Sequence, residues 1–116
     1  MKKKPPFAIV FFKEPISGKE PARLWLKKLE KSDQRIIGHN LMTLQWNWPI
    51  GLPLVDHLIK NIWELRSTLI NKEARMLFVV KQRNIIILHA FIKKTQKTPK
   101  NEIEIATNRL KELERK

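Results

Sequence analysis

Two arginines, a histidine and a pair of lysines are the side chains of this sequence best suited to chemistry on a phosphate. Guanidinium groups form paired hydrogen bonds to phosphate oxygens, and Arg66 and Arg75 lie on adjacent predicted strands. His89 can act as acid or base near neutral pH, although a lone histidine on a strand is often structural. Lys93 or Lys94 could serve instead, because a cationic neighbourhood lowers the pKa of a lysine. The candidate catalytic residues are Arg66, Arg75, His89 and Lys93.

A cationic segment adds candidate contacts to a substrate. Residues 81–100 contain six basic side chains and no carboxylate. Lysines suit the phosphates of a nucleic-acid backbone, and Phe91 could either stack on a base or lie at the edge of the core. The candidate substrate-binding residues are Lys81, Phe91, Lys94 and Lys97.

Cleavage of RNA is a chemistry that such a set can support without a metal. The nucleophile is the RNA 2′-hydroxyl, so the protein must only move protons and neutralise the charge that develops on phosphorus. No metal site is predicted, because the chain lacks cysteine and its three histidines are scattered. No cofactor is predicted either.

Length and charge limit the kind of protein. A chain of 116 residues predicts one domain, spanning residues 1–116, and a formal charge of +13 favours a polyanionic partner. No apolar run reaches the ~18 residues of a spanning helix, and the lysine-rich start is followed by prolines rather than by a signal-peptide core. We therefore expect a soluble, cytoplasmic protein without a membrane partner.

Apolar periodicity predicts the order β-α-α-β-β-β-α. This order is typical of an α+β fold with a small, mainly antiparallel sheet and helices packed on one face. Trp46 and Trp48 lie at a break rich in proline, where covering the core edge is favoured over a base-stacking platform. The predicted elements are a strand at 7–12, a helix from Pro21, a helix from Ser32 to about Trp46, a strand at 62–66, a hairpin around 82–84 and a helix at 102–116.

The register of the hairpin decides which residues share a face. A three-residue loop, 82–84, with Asn84 in the left-handed region, would pair Lys81 with Ile85, Leu77 with His89 and Arg75 with Phe91. One face is then apolar and takes the helices, and it holds Met76, Phe78, Val80, Ile86, Leu88, Ala90 and Ile92. The other face presents the basic residues, balanced only by Glu64, and comprises Arg66, Arg75, Lys81, His89, Phe91 and Lys93.

The motif I-W-E-L-R at 62–66, followed by Arg75 and by L-H-A-F-I-K-K-T-Q-K-T-P at 88–99, resembles the phage-derived HigB-like branch of the RelE/ParE toxin superfamily. The resemblance covers roughly residues 6–112, and Ala90 stands where related chains usually have glycine. It implies a RelE-like fold and a ribosome-dependent endoribonuclease that cleaves messenger RNA. It also implies a cognate antitoxin, commonly a helix-turn-helix protein. The family's basic positions fall on Arg66, Arg75, Lys93, Lys94 and Lys97.

Two other classes of function remain open at this level. A toxin of the same fold can inhibit gyrase without nuclease activity, and a small basic domain can bind RNA without cutting it. The basic hairpin face favours the ribonuclease.

Overall fold

Five strands and three helices make up residues 3–115, the part of the chain that the computed structural model describes. The sheet has the order β1-β5-β4-β3-β2, with β1 parallel to β5 and the other neighbours antiparallel. The predicted α+β fold with a mainly antiparallel sheet is confirmed. In chain order the elements are β1 (Ala8–Phe11), α1 (Pro21–Lys27), α2 (Lys31–Asn47), β2 (Val55–Ile59), β3 (Ile62–Thr68), β4 (Glu73–Lys81), β5 (Asn84–Lys93) and α3 (Lys100–Glu114).

Strand β2 was not predicted. It is an edge strand that pairs antiparallel with β3, and its register shifts between His57 and Ile59. Two polar residues, Asp56 and His57, interrupt its apolar pattern. An edge strand needs only one partner and can keep polar side chains in solvent, so its sequence signal is weak.

Helices α1 and α2 pack on one face of the sheet, as predicted. Their buried side chains Ala22, Ile37, Leu41 and Leu44 share a core cluster with strand residues. The strand side of that cluster includes Leu65, Met76, Phe78, Ile85, Ile87 and Ala90. No helix within residues 3–115 is long and apolar enough to cross a membrane.

Helix α3 packs on the opposite face of β4 and β5. Its Ala106 and Leu110 belong to a second buried cluster with Leu77, Val79 and Leu88. Successive strand residues point to opposite faces, so the neighbours Leu77 and Phe78 contribute to different clusters. The hairpin is therefore covered on both sides.

The hairpin differs from its predicted register at the tip. Lys81 pairs with Asn84, so the loop has two residues rather than three, and Gln82 rather than Asn84 has a positive φ of 57°. The predicted pairs of Arg75 with Phe91 and of Leu77 with His89 are confirmed. The shorter loop and the confirmed pairs are compatible because the register shifts after Leu77, which leaves an extra residue on β5.

This irregularity reverses the faces of β5 near the tip. Phe78 pairs with Ile87, so Leu88 is the residue without a partner on β4. An inserted residue in one strand moves the side chains beyond it to the other face. Ile86 and Leu88 were predicted for the face of α1 and α2, but they pack against α3, and Ile85 and Ile87 take their place.

Trp48 closes the edge of the first core cluster. Its ring meets Trp63 edge to face at a centroid distance of 5.1 Å and Phe78 at 5.5 Å. The favoured packing role is confirmed for Trp48. Trp46, in contrast, is 42% exposed.

Candidate functional site

Arg66 and Arg75 lie side by side on the sheet. They are direct partners in the register of β3 and β4, which places both side chains on the same face. Two like charges at such a pair repel each other unless an anion lies between them. The structure provides that anion in Glu64.

Glu64 is a buried carboxylate, 2% exposed, that both arginines approach. Arg66 Nε donates a hydrogen bond to Glu64 Oε2 at 3.2 Å, and Arg75 Nε lies 3.8 Å from the same oxygen. The hydroxyl of Thr98 donates a hydrogen bond to the other oxygen, Oε1. One buried side chain therefore joins β3, β4 and the loop that leads into α3.

Further carboxylates hold the outer ends of the two guanidinium groups. Arg66 Nη2 donates to Asp56 Oδ2 at 3.0 Å. Arg75 Nη1 donates to Glu73 Oε1 at 3.4 Å and to the carbonyl of Ala74 at 2.9 Å. These contacts place two arginines among three carboxylates.

The two arginines differ in their access to solvent. The side chain of Arg66 is 34% exposed, whereas that of Arg75 is 7% exposed. The prediction of an open face that presents Arg75 is wrong in this respect, because Glu64 and Glu73 pair with it at the floor of the site. Arg66 is the accessible member of the pair.

A pocket of about 540 Å³ lies beside Arg75. Lys93 and Lys94 contribute its cations, and Lys97 follows on the exposed loop to α3. The structure thus brings Arg66, Arg75, Lys93 and Lys94 into one neighbourhood, as predicted. The pocket is lined by Glu73, Arg75, Lys93, Lys94, Thr95 and Gln96.

Lys81 lies at the other end of the hairpin. It is six residues from Arg75 along β4, which corresponds to roughly 20 Å. Its ammonium group forms a salt bridge of 2.8 Å with Glu114 of α3. The structure does not bring Lys81 together with the other candidate residues.

His89 connects β5 to α3. One ring nitrogen, Nε2, lies 2.7 Å from Glu102 Oε1, and Arg109 Nη1 lies 3.3 Å from the other, Nδ1. Since arginine can only donate, Nδ1 is assigned as the acceptor and Nε2 carries the proton. Burial lowers the pKa of His89 below 6.5, Glu102 opposes this effect and Arg109 adds to it. Both ring nitrogens have partners on α3, so the imidazole connects the sheet to this helix.

Phe91 belongs to the second core cluster and is 6% exposed. The ring of His89 stacks on it at a centroid distance of 5.5 Å. The prediction that Phe91 could stack on a base is therefore wrong, and the alternative of a core residue holds.

The sequence did not predict that carboxylates pair with the two arginines of this site. Glu64 was noted only as a balancing charge, although its spacing of two residues from Arg66 already places both on one face of a strand. Thr98 and Asp56 had no comparable signal, since the first lies in a loop and the second in the unpredicted strand. Within residues 3–115, no group of three histidine or acidic side chains could hold a metal ion.

Comparison with known proteins bears on the family of this chain. No curated protein matches the sequence. A family model described as "Phage derived protein Gp49-like (DUF891)" matches residues 24–111, which include every candidate residue of the site. The chain therefore belongs to the phage-derived Gp49-like family, which is a RelE-like, toxin-like family.

Proposed function

We propose that this protein is the toxin of a type II toxin–antitoxin pair and a ribosome-dependent, metal-independent endoribonuclease that cleaves messenger RNA. The observation that carries the proposal is the cross-strand pair of Arg66 and Arg75 beside the pocket lined by Lys93 and Lys94. Arg75, Lys93 and Lys94 line this pocket and Arg66 is the cross-strand partner of Arg75, so four cations surround a surface where a phosphate can enter.

The proposed reaction uses the RNA as its own nucleophile. The 2′-oxygen forms a bond to phosphorus while the bond from phosphorus to the 5′-oxygen breaks. One proton leaves the 2′-hydroxyl and one is delivered to the 5′-oxygen. Arg66 and the pocket lysines stabilise the charge on the phosphorane oxygens.

Lys93 and Lys94 are better candidates than His89 for moving the two protons of this reaction. Both ring nitrogens of His89 are engaged with α3, at 2.7 Å from Glu102 and 3.3 Å from Arg109. Lys93 and Lys94 line the pocket itself, and Lys94 is exposed. Within residues 3–115 their amines form no salt bridge, so they are the candidates for moving the protons.

The proposed partners follow from charge and family. A protein of formal charge +13 binds the polyanionic ribosome and its messenger RNA through phosphate contacts. A toxin must also be silenced, and we propose a cognate antitoxin, expected to be a helix-turn-helix DNA-binding protein. The site of action is the cytoplasm, where translation occurs.

A module that binds RNA without cutting it is the second candidate. Three carboxylates already occupy the two arginines, so the lysines could bind a backbone while no group activates it. A toxin that inhibits gyrase is the third, and it would leave transcripts intact.

The test is cleavage of a defined messenger RNA in a purified translation system. We expect cuts within the message when ribosomes are present, and a strong reduction with Arg66→Ala. Arg23→Ala on α1 removes an exposed cation in a surface salt bridge and is the matched control. Bound but intact RNA would favour the binding module, and DNA damage without cleaved transcripts would favour the gyrase inhibitor.

A further inference from the structure

We propose that Glu64 is a positioning residue, which packs against the buried Arg75 and orients the guanidinium group of Arg66 so that its terminal nitrogen Nη1 stays available to a phosphate. This inference rests on the proposed ribonuclease function and deepens it. Glu64 acts through the arginines and does not touch the substrate.

Burial excludes direct contact between Glu64 and RNA in this arrangement. Its side chain is 3% exposed, and both carboxylate oxygens already accept contacts from the protein. Oε2 faces the Nε atoms of the two arginines, and Oε1 accepts the hydrogen bond from Thr98. A group in this position fixes its neighbours rather than taking a proton from a substrate.

The carboxylates use only some of the arginine donors. Arg66 donates through Nε and Nη2, and Arg75 donates through Nη1. Arg66 Nη1 and Arg75 Nη2 make no hydrogen bond to any residue in the range 3–115. Because a guanidinium group is planar, holding its inner edge sets the direction of the remaining N–H groups.

Arg75 shows how tightly the arrangement is constrained. Its Nε is buried without a hydrogen-bond partner among residues 3–115, at 3.8 Å from Glu64 Oε2. A buried donor without a partner is costly, and it persists only where other contacts hold the side chain in place. Glu73 and the carbonyl of Ala74 provide those contacts.

Thr98 connects the same carboxylate to the cationic loop. It lies in the segment between β5 and α3 that also carries Lys94 and Lys97. Its hydrogen bond to Glu64 therefore ties the loop to the arginine pair. Loss of the hydroxyl should loosen Glu64 and the loop together while leaving every charge in place.

The experiment compares Glu64→Gln and Thr98→Val with the wild type in the translation system. We expect each variant to lower kcat at least about 10-fold with a much smaller change in KM, since misplaced groups lose interactions made in the transition state. The dependence of kcat on pH should keep its shape, because Glu64 moves no proton. Thr43→Val removes a hydroxyl that, among residues 3–115, bonds only to the carbonyl of His39 on α2, and it is the matched control.

Hydrogen exchange of the arginine Nε–H groups, followed by NMR, gives a readout that needs no activity. We expect the Arg66 Nε–H to exchange slowly in the wild type and in Thr43→Val, and at least about 10-fold faster in Thr98→Val. Thr98→Val also tests the inference if Glu64→Gln fails to fold.

The outcomes distinguish failure of the proposed role of Glu64 from failure of the proposed ribonuclease function. A wild type that cuts RNA, together with unchanged kcat in folded Thr98→Val and Glu64→Gln, would refute the role of Glu64 and leave the proposed function standing. Loss of the acidic limb of the pH profile in Glu64→Gln would make Glu64 a proton carrier and refute positioning. A wild type that cuts no RNA would refute the function itself, whereas faster Arg66 exchange in Thr98→Val would still support the orientation of Arg66 by Glu64.

Discussion

His89 Nε2 and Glu102 Oε1 lie 2.7 Å apart and join the last strand of the sheet to the first turn of α3. The contact holds the start of α3 against the sheet, next to the cationic loop that joins β5 to α3. It also makes the attachment of α3 dependent on the protonation of one imidazole.

We expect acidification to weaken the fold through His89. Burial lowers its pKa in the folded state below 6.5, so the unfolded chain takes up a proton that the folded protein resists. The stability that neutral His89 contributes is therefore complete above pH 6.5 and is lost as the pH falls through its lowered pKa. Urea unfolding at several pH values between 7.5 and 5 measures the effect.

The control for this effect is a comparison of two histidine variants. His89→Gln should lose less stability on acidification than the wild type, because the titrating group is gone. His39→Gln, at an exposed position on α2, should behave as the wild type does. Equal pH dependence in all three proteins would contradict the role of His89.

The two arginines should respond differently to removal. Arg75→Ala leaves a buried carboxylate with one partner fewer, and we expect a loss of about 3–5 kcal/mol in the free energy of unfolding. Arg66→Ala removes a partly exposed side chain but also the hydrogen bond to the buried Glu64, so it should cost less, about 1–3 kcal/mol. Chemical denaturation of both variants measures the difference, and equal losses would contradict the difference in burial. Arg66 is therefore the cleaner position for testing function.

The tip of the hairpin offers a test of the two-residue loop. Gln82 has a φ of 57°, which glycine adopts without the steric cost of a side chain, so Gln82→Gly should raise stability by about 0.5–1 kcal/mol. Asn84→Gly places glycine in a strand and should lower stability by a similar amount. Thermal unfolding distinguishes the two, and the reverse order would indicate the three-residue loop predicted from the sequence.

The salt dependence of RNA binding should identify the lysines that contact phosphates. Each such contact contributes about 0.7 to the slope of log K against log salt for a single strand. We expect Lys93→Ala and Lys94→Ala each to lower the slope by about that amount. Lys81→Ala should leave it nearly unchanged, because Lys81 pairs with Glu114 at the far end of the hairpin. A full reduction with Lys81→Ala would extend the binding surface to the hairpin tip.

Local sequence patterns determined much of this protein. Apolar periodicity located the three helices and most of the strands. These features depend on residues that are close in sequence, where spacing alone decides which side chains share a face. The basic segment after β5 and the motif around Arg66 were also identified from the sequence alone.

Contacts between distant residues decided the rest. The shift after Leu77 turned Ile86 and Leu88 toward α3, because a second buried cluster formed with Ala106 and Leu110. The hydrogen bond from Thr98 to Glu64 joins segments separated by 34 positions in the chain, and Arg75 is buried beside the same carboxylate. No local pattern encodes such a contact, so only the tertiary structure could show that the cations of the site are arranged around a buried acid.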